Sequence, residues 1–166
     1  IYLSTILLLF FASGMVSLIY EVLWLKELGL LFGNTAYASA TTLAVFFAGL
    51  SAGGYFWGQR AAQTASPLRV YAWLEFGIGL AALSYFLIRD FYYLIYGPLF
   101  STFGDLPAAF TLVKFLLAAG LLFLPSFLMG GTLPIMGQHL VRKADQLGTT
   151  VSMLYAVNTL GAALGV

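Results

Sequence analysis

The sequence predicts an all-α, polytopic transmembrane helical bundle of about five spans, and three observations point to it. The first is composition, with 61% hydrophobic and 8% charged residues, where soluble domains carry about 25% charged. The second is a mean hydropathy of +0.97. The third is spacing, because the apolar runs recur at lengths near the roughly 20 residues that a helix needs to cross a bilayer core. A chain of 166 residues filled in this way is a single transmembrane domain over 1–166, with no length left for a separate soluble one.

The first span runs from Ile1 to about Leu25. It is too long for the apolar part of a signal peptide and lacks a basic leader, so it reads as a retained span. The second runs from Thr35 to Gln59, the third from Val70 to Ile88, the fourth from Pro107 to Met129 and the fifth from Thr149 to the end at Val166. Between the third and fourth, Phe91 to Phe103 carries Tyr92, Tyr93, Tyr96 and Phe100 and is too short to cross. It reads as an interfacial segment broken at Gly97 and Pro98. After the fourth, Gly130, Gly131 and Pro134 interrupt the pattern before Gln138, His139, Arg142 and Lys143, which predicts a separate surface-lying helix. His139 is read there as an interfacial residue. Pro125 predicts a kink in the fourth span, with its freed carbonyl satisfied by neighbouring helices. Both ends fall inside apolar runs, the pattern expected of a fragment.

Composition also excludes functions. The net charge of +1 comes without a basic stripe, which removes nucleic acid as a partner. The absence of cysteine removes a thiolate nucleophile and any Cys-based metal site, and the lone His139 cannot build a histidine cluster. No catalytic site, metal or cofactor is expected. The connections place Arg60, Arg69, Arg142 and Lys143 on one membrane face and Lys26 and Arg89 on the other. The positive-inside rule makes the first face, and the N-terminus with it, cytoplasmic; the expected location is the bacterial cytoplasmic (inner) membrane.

Small residues predict how the spans pack. Gly49, Gly53, Gly54 and Gly58 form overlapping GxxxG spacings in the second span, and Gly161 and Gly165 repeat the spacing in the fifth. Such faces let backbones approach closely in lipid, within the bundle or against other transmembrane helices and subunits.

Three ionisable residues fall within the expected spans: Glu21, Glu75 and Lys114. A charge at mid-bilayer costs about 2.5–3.5 kcal/mol on insertion scales, so each needs a partner or a wet cavity. Glu21 and Lys114 lie at matching depths from the same face and form a candidate ion pair or substrate site. Glu75 lies nearer the opposite face, where Arg60 and Arg69 are its expected partners. Ser13, Ser17 and Glu21 follow i, i+4, i+8 spacing, with Tyr20 and Trp24 alongside. Ser152, Tyr155, Asn158 and Thr159 share a broad face of the fifth span, and Thr111, Lys114 and Ala118 share one of the fourth. Facing stripes of this kind would enclose a small hydrated cavity, with Glu21, Lys114, Tyr20, Trp24, Ser17, Tyr155 and Asn158 as its candidate site residues. The alternative is a buried ion pair that only sets helix register.

Four stretches resemble the membrane domain of fused major-facilitator/spermidine-synthase-like proteins, that is, integral membrane polyamine aminopropyltransferase-like proteins. They are YEVLWLKELGLLFGNTAYA from Tyr20, PLRVYAWLEFGIGL from Pro67, LPSFLMGGTLPIM from Leu124 and LYAVNTLGAALG from Leu154. The resemblance implies an incomplete six-helix half of a major-facilitator-like fold, with the first, fourth and fifth spans lining a central cavity. It also implies a possible transferase domain outside this stretch, none of whose chemistry falls on these residues. GYFWGQR from Gly54 matches the facilitator loop motif only at its Gly and Arg positions, and the usual acidic residue is missing. The expected function is transporter-like handling of polyamines or another small amine. The alternatives are an accessory transmembrane subunit of a larger membrane complex and a membrane anchor for an aminopropyltransferase-like enzyme.

Overall fold

The computed structural model describes residues 2–32, 36–141 and 147–166, and those residues form five α-helices. They are α1 (Tyr2–Phe32), α2 (Ala36–Ala61), α3 (Pro67–Phe103), α4 (Pro107–Leu140) and α5 (Leu147–Leu164). The fold class is therefore an all-helical bundle. Arg142 and Lys143 lie outside the described residues.

Two segments expected to be separate are continuous with their neighbours. The expected break at Gly97 and Pro98 does not occur, and α3 runs through to Phe103. A helix of 37 residues is about 55 Å long, well beyond a hydrocarbon core of roughly 30 Å. Ser101 Oγ and Thr102 Oγ1 each donate to the Pro98 carbonyl at 2.9 Å. Tyr96 and Phe100 pack on Phe110 of α4 at 6.2 and 5.9 Å, so the far end of α3 folds back onto the start of α4 as an aromatic hairpin tip. Both helices of this hairpin open with a proline in the first turn, where the missing N–H would be unpaired anyway.

The surface-lying helix expected after Met129 is likewise the last part of α4, which continues through Pro125 and Pro134 to Leu140. Ser126 Oγ back-bonds to the carbonyls of Leu122 and Phe123 at 2.7 and 3.1 Å, next to the Leu121 carbonyl that Pro125 leaves without its helical donor. Pro134 leaves the Gly130 carbonyl without its helical donor, and that carbonyl faces Gly54 of α2. Gly130 and Gly131 do not end the helix, because they form its contact surface. A Cβ on Gly130 would collide with the Leu50 carbonyl, and one on Gly131 would enter the Trp57 ring.

Close backbone approach organises the rest. On α2, Gly49 abuts Ser126 and the Phe123 carbonyl, and Gly53 abuts the Phe127 carbonyl. On the other side of the bundle, Gly14 of α1 abuts Asn158, while Gly161 of α5 and Gly165 just beyond its end abut the Phe11 and Met15 carbonyls. The bundle thus consists of an α1–α5 pair seated on an α2–α4 pair, with α3 packed along α4. Two apolar clusters fill the interior. One is built on Trp24, Leu28, Val45, Phe46, Ile78, Leu122 and Met129. The other is built on Ile6, Phe10, Tyr71, Leu74, Ile135, Met136 and Leu154.

The outside is more apolar than a water-soluble bundle tolerates. Leu8, Phe47, Trp73, Phe76, Leu80, Leu83, Leu116, Leu124 and Leu160 are all exposed, whereas glycines, serines and threonines occupy the helix contacts. Leu3–Gly29, Ser39–Ala61 and Ala108–Leu140 are long and apolar enough to cross a membrane. The chain is an integral membrane protein.

Glycines at the contacts and glycines in open space respond oppositely to enlargement. Gly53→Leu is expected to prevent α2 from seating on α4 and to abolish the cooperative thermal transition in detergent. Gly120→Ala meets nothing within 4 Å and is expected to be neutral or to stabilise by up to about 1 kcal/mol through helix propensity.

Candidate functional site

The Ser13–Ser17–Glu21 stripe divides in the folded chain. Successive i+4 steps each drift about 40° around a helix, so Ser13 and Glu21 point about 80° apart. Ser17 and Glu21 turn into a cavity of about 160 Å³ at the seam between the two helix pairs. Gly14 and Leu18 of α1, Phe46 and Leu50 of α2, Met129 and Thr132 of α4, and Asn158 and Ala162 of α5 complete its wall. Its polar groups are the Glu21 carboxyl, the Ser17 and Thr132 hydroxyls and the Asn158 carboxamide. Thr132 Oγ1 donates to the Met129 carbonyl at 2.8 Å, which leaves its lone pairs as acceptors. Asn158 is positioned by Gly14, since a Cβ there would strike both its backbone carbonyl and Oδ1.

The other sequence-predicted residues lie elsewhere. Trp24 is buried in the apolar cluster with Leu28 and Phe46, and Tyr20 stacks on it with ring centroids 5.7 Å apart, so neither ring lines the cavity. Tyr155 is 61% exposed on the outer face of α5. Lys114 Nζ lies over the Phe110 ring at 4.4 Å, near the α3–α4 tip, and no ion pair joins it to Glu21 among the described residues. Phe46 and Thr132 are site residues that the sequence reading missed. Phe46 sits in an apolar run with no distinguishing neighbour, and Thr132 falls beyond the expected end of the fourth span.

The expected network of Glu75 with Arg60 and Arg69 is replaced by another. Glu75 Oε1 accepts from Ser13 Oγ at 2.6 Å, and the Tyr71 hydroxyl bonds within the same group. Arg60 instead lies 3.6 Å from the Phe56 ring centroid and donates to the Phe56 carbonyl at 3.4 Å. Arg69 is exposed in the first turn of α3. The reason is rotation as well as depth: Arg60 and Arg69 turn outward at the ends of α2 and α3, while Glu75 turns inward to α1. Among the described residues, no cluster of His, Asp and Glu is arranged to hold a metal ion.

No family model, curated protein or solved structure matches this chain. The arrangement itself offers a carboxylate and three neutral acceptors inside an apolar bundle, a set suited to a small cation or to donors on a small ligand.

A hydrophobic carbodiimide, which reacts with carboxyl groups in apolar surroundings, is expected to modify Glu21, as read by peptide mass spectrometry. Ser17→Leu fills much of the cavity and is expected to reduce that modification severalfold, with Glu21→Gln as the blank.

Proposed function

We propose that this chain is a transporter-like membrane domain that binds one ammonium group of a small amine at Glu21. The observation that carries the reading is the convergence of Glu21, Ser17, Thr132 and Asn158 on one cavity between α1, α2, α4 and α5. An ammonium group brings donors only, and these residues bring a negative charge and acceptors. Phe46 in the same wall adds a ring face for cation–π attraction. The size of the cavity narrows the ligand. At about 160 Å³ it falls below the roughly 300–1,000 Å³ of drug-sized sites and is close to the roughly 150 Å³ that holds a benzene. A methylammonium-sized head fits, so a polyamine would enter one end at a time.

The resemblance of the four stretches to spermidine-synthase-like membrane domains supports an amine as the ligand class. In this reading α3 and α5 also cross the bilayer, giving about five spans. The exposed row Trp73, Phe76, Leu80 and Leu83 on α3 supports its contact with lipid. Arg60 and Arg69 mark the cytoplasmic side of a bacterial inner membrane, with the N-terminus on that side.

A second reading, an accessory subunit of a larger membrane complex, draws support from a groove of about 490 Å³ beside α2 and α4. It is lined by Gly54, Gly58, Ala62, Pro134 and Gly137, small residues that would admit a foreign helix.

In proteoliposomes, radiolabelled methylammonium uptake is expected to fall about tenfold or more in Glu21→Gln, the loss of one charged hydrogen-bond partner. Lys114→Ala, outside the cavity, is expected to keep most of the uptake. Equal uptake by wild type and Glu21→Gln would sink the amine-binding reading.

A further inference from the structure

The α1–α3 contact holds a second, half-buried carboxyl group, Glu75, one that the Glu21 cavity does not use. Ser13 and Tyr71 are 8% and 5% exposed; Ser13 donates to Glu75, and the Tyr71 hydroxyl joins the same group beside both Glu75 and Ser13. The Ser13 contact of 2.6 Å lies in the range of about 2.5–2.7 Å for a hydroxyl on a charged oxygen. The Tyr71 ring meets Phe10 of α1 at 6.0 Å, so the two helices join through a ring contact and a hydrogen-bonded carboxyl one turn apart. The surroundings contain little other charge. On α4 the Tyr71 cluster meets Leu128, Ile135 and Met136, with the half-buried His139 one turn beyond Ile135. On α1 the nearest carboxyl group along the helix is Glu21, two turns and about 12 Å from Ser13, with Tyr20 just before it. On α3 it is Arg69, about 9 Å along the axis and exposed. From α2, Arg60 is held on Phe56. No ion pair reaches Glu75 among the described residues.

We propose that Glu75, with Ser13 and Tyr71, is a proton-binding site whose ionised form clasps α1 to α3 and whose protonated form releases it. With Glu75 ionised, both hydroxyls donate into the carboxylate, and such charge-assisted bonds are about twice as strong as neutral ones. When one H⁺ binds, an O–H bond forms on one carboxyl oxygen and the group loses its negative charge. The hydroxyls then face a neutral group with less acceptor capacity, and the clasp weakens. The proton comes from water and returns to it, and no other bond changes. A hard metal cation fits this cluster poorly, because Ca²⁺ takes about 6–8 oxygens and Mg²⁺ a full octahedron. Here two hydroxyls and one carboxyl converge.

The position of the clasp gives it a consequence. The α1–α5 pair is joined at Gly14, Gly161 and Gly165, and the α2–α4 pair at Gly49, Gly53 and Gly130, while α3 packs on α4 with Gly77 against Leu128. The Glu21 cavity lies in the seam between the two pairs, and the clasp ties α1 across that seam. Protonating Glu75 thus loosens the wall of the cavity. The proton site stands on the clasp geometry alone, whereas its effect on ligand entry rests on the amine-binding reading.

Infrared difference spectra of the full chain in vesicles, taken between acid and alkaline pH, read carboxyl protonation directly. The expected wild-type spectrum has a protonated-carboxyl band that Glu75→Gln removes, Glu21→Gln leaves, and Ser13→Ala and Tyr71→Phe shift without removing. In the same vesicles, methylammonium uptake by wild type is expected to change severalfold with an imposed pH gradient, and Glu75→Gln to lose that dependence. A band unaltered in Glu75→Gln overturns the proton site. Should Glu75→Gln fail to fold, Ser13→Ala, which keeps the carboxyl, decides the matter, and an unshifted band overturns the proposal. Absence of methylammonium uptake in the wild type overturns the amine reading and leaves the infrared result to stand by itself.

Discussion

Neighbouring helices in lipid gain little from hiding apolar side chains, so the bundle depends on how closely their backbones can approach. That constraint is met at a few glycines. Gly49 and Gly53 of α2 rest on carbonyls and Ser126 of α4, and Gly130 of α4 rests on the Leu50 carbonyl in return. The α1–α5 pair repeats the arrangement with Gly14, Gly161 and Gly165. Because both partners contribute small residues, each pair is held by many short-range contacts, and dispersion and weak Cα–H···O interactions replace the missing hydrophobic drive.

Tight pairs leave a looser seam between them, and two polar clusters with a carboxyl group each lie along it. Glu21, Ser17, Thr132 and Asn158 share a cavity on that seam, and the Ser13–Glu75–Tyr71 cluster ties α1 across it. Placing carboxyl groups inside a pair would have required helices to separate where glycines bring them together. Placing them on the lipid face would have left them without donors. The seam offers both room and hydrogen-bonding partners.

Much of the site was legible one residue at a time. Glu21, Ser17 and Asn158 stand out because polar groups are rare in this composition, and each of them reaches the cavity. The partnerships were less legible. Glu75 turns to Ser13 and Tyr71 rather than to Arg60 and Arg69, and Trp24 turns to an apolar core rather than to Glu21. Depth along a helix can be counted from sequence, but azimuth depends on the crossing of each helix against its neighbours, which the glycines set. The same reasoning explains the helix ends. Gly130, Gly131 and Pro134 carry the local signal of a break, but in an apolar medium an interrupted helix leaves backbone groups unpaired. The contact with α2 uses those residues without ending the helix, and this brings Thr132 to the cavity.

The amino-acid sequence by itself determined that the chain is an all-helical membrane bundle, where most of its helices lie, and which few polar residues any internal site had to use. These follow from composition and from spans matched to a bilayer. The tertiary structure alone decided that α3 and α4 run on past their glycines and prolines, that the α1 polar stripe splits between a clasp and a cavity, and that Phe46 and Thr132 join the cavity wall. Those outcomes depend on close contacts between residues distant in the chain, and on a drift of about 40° per four-residue step that turns one sequence stripe toward two different neighbours.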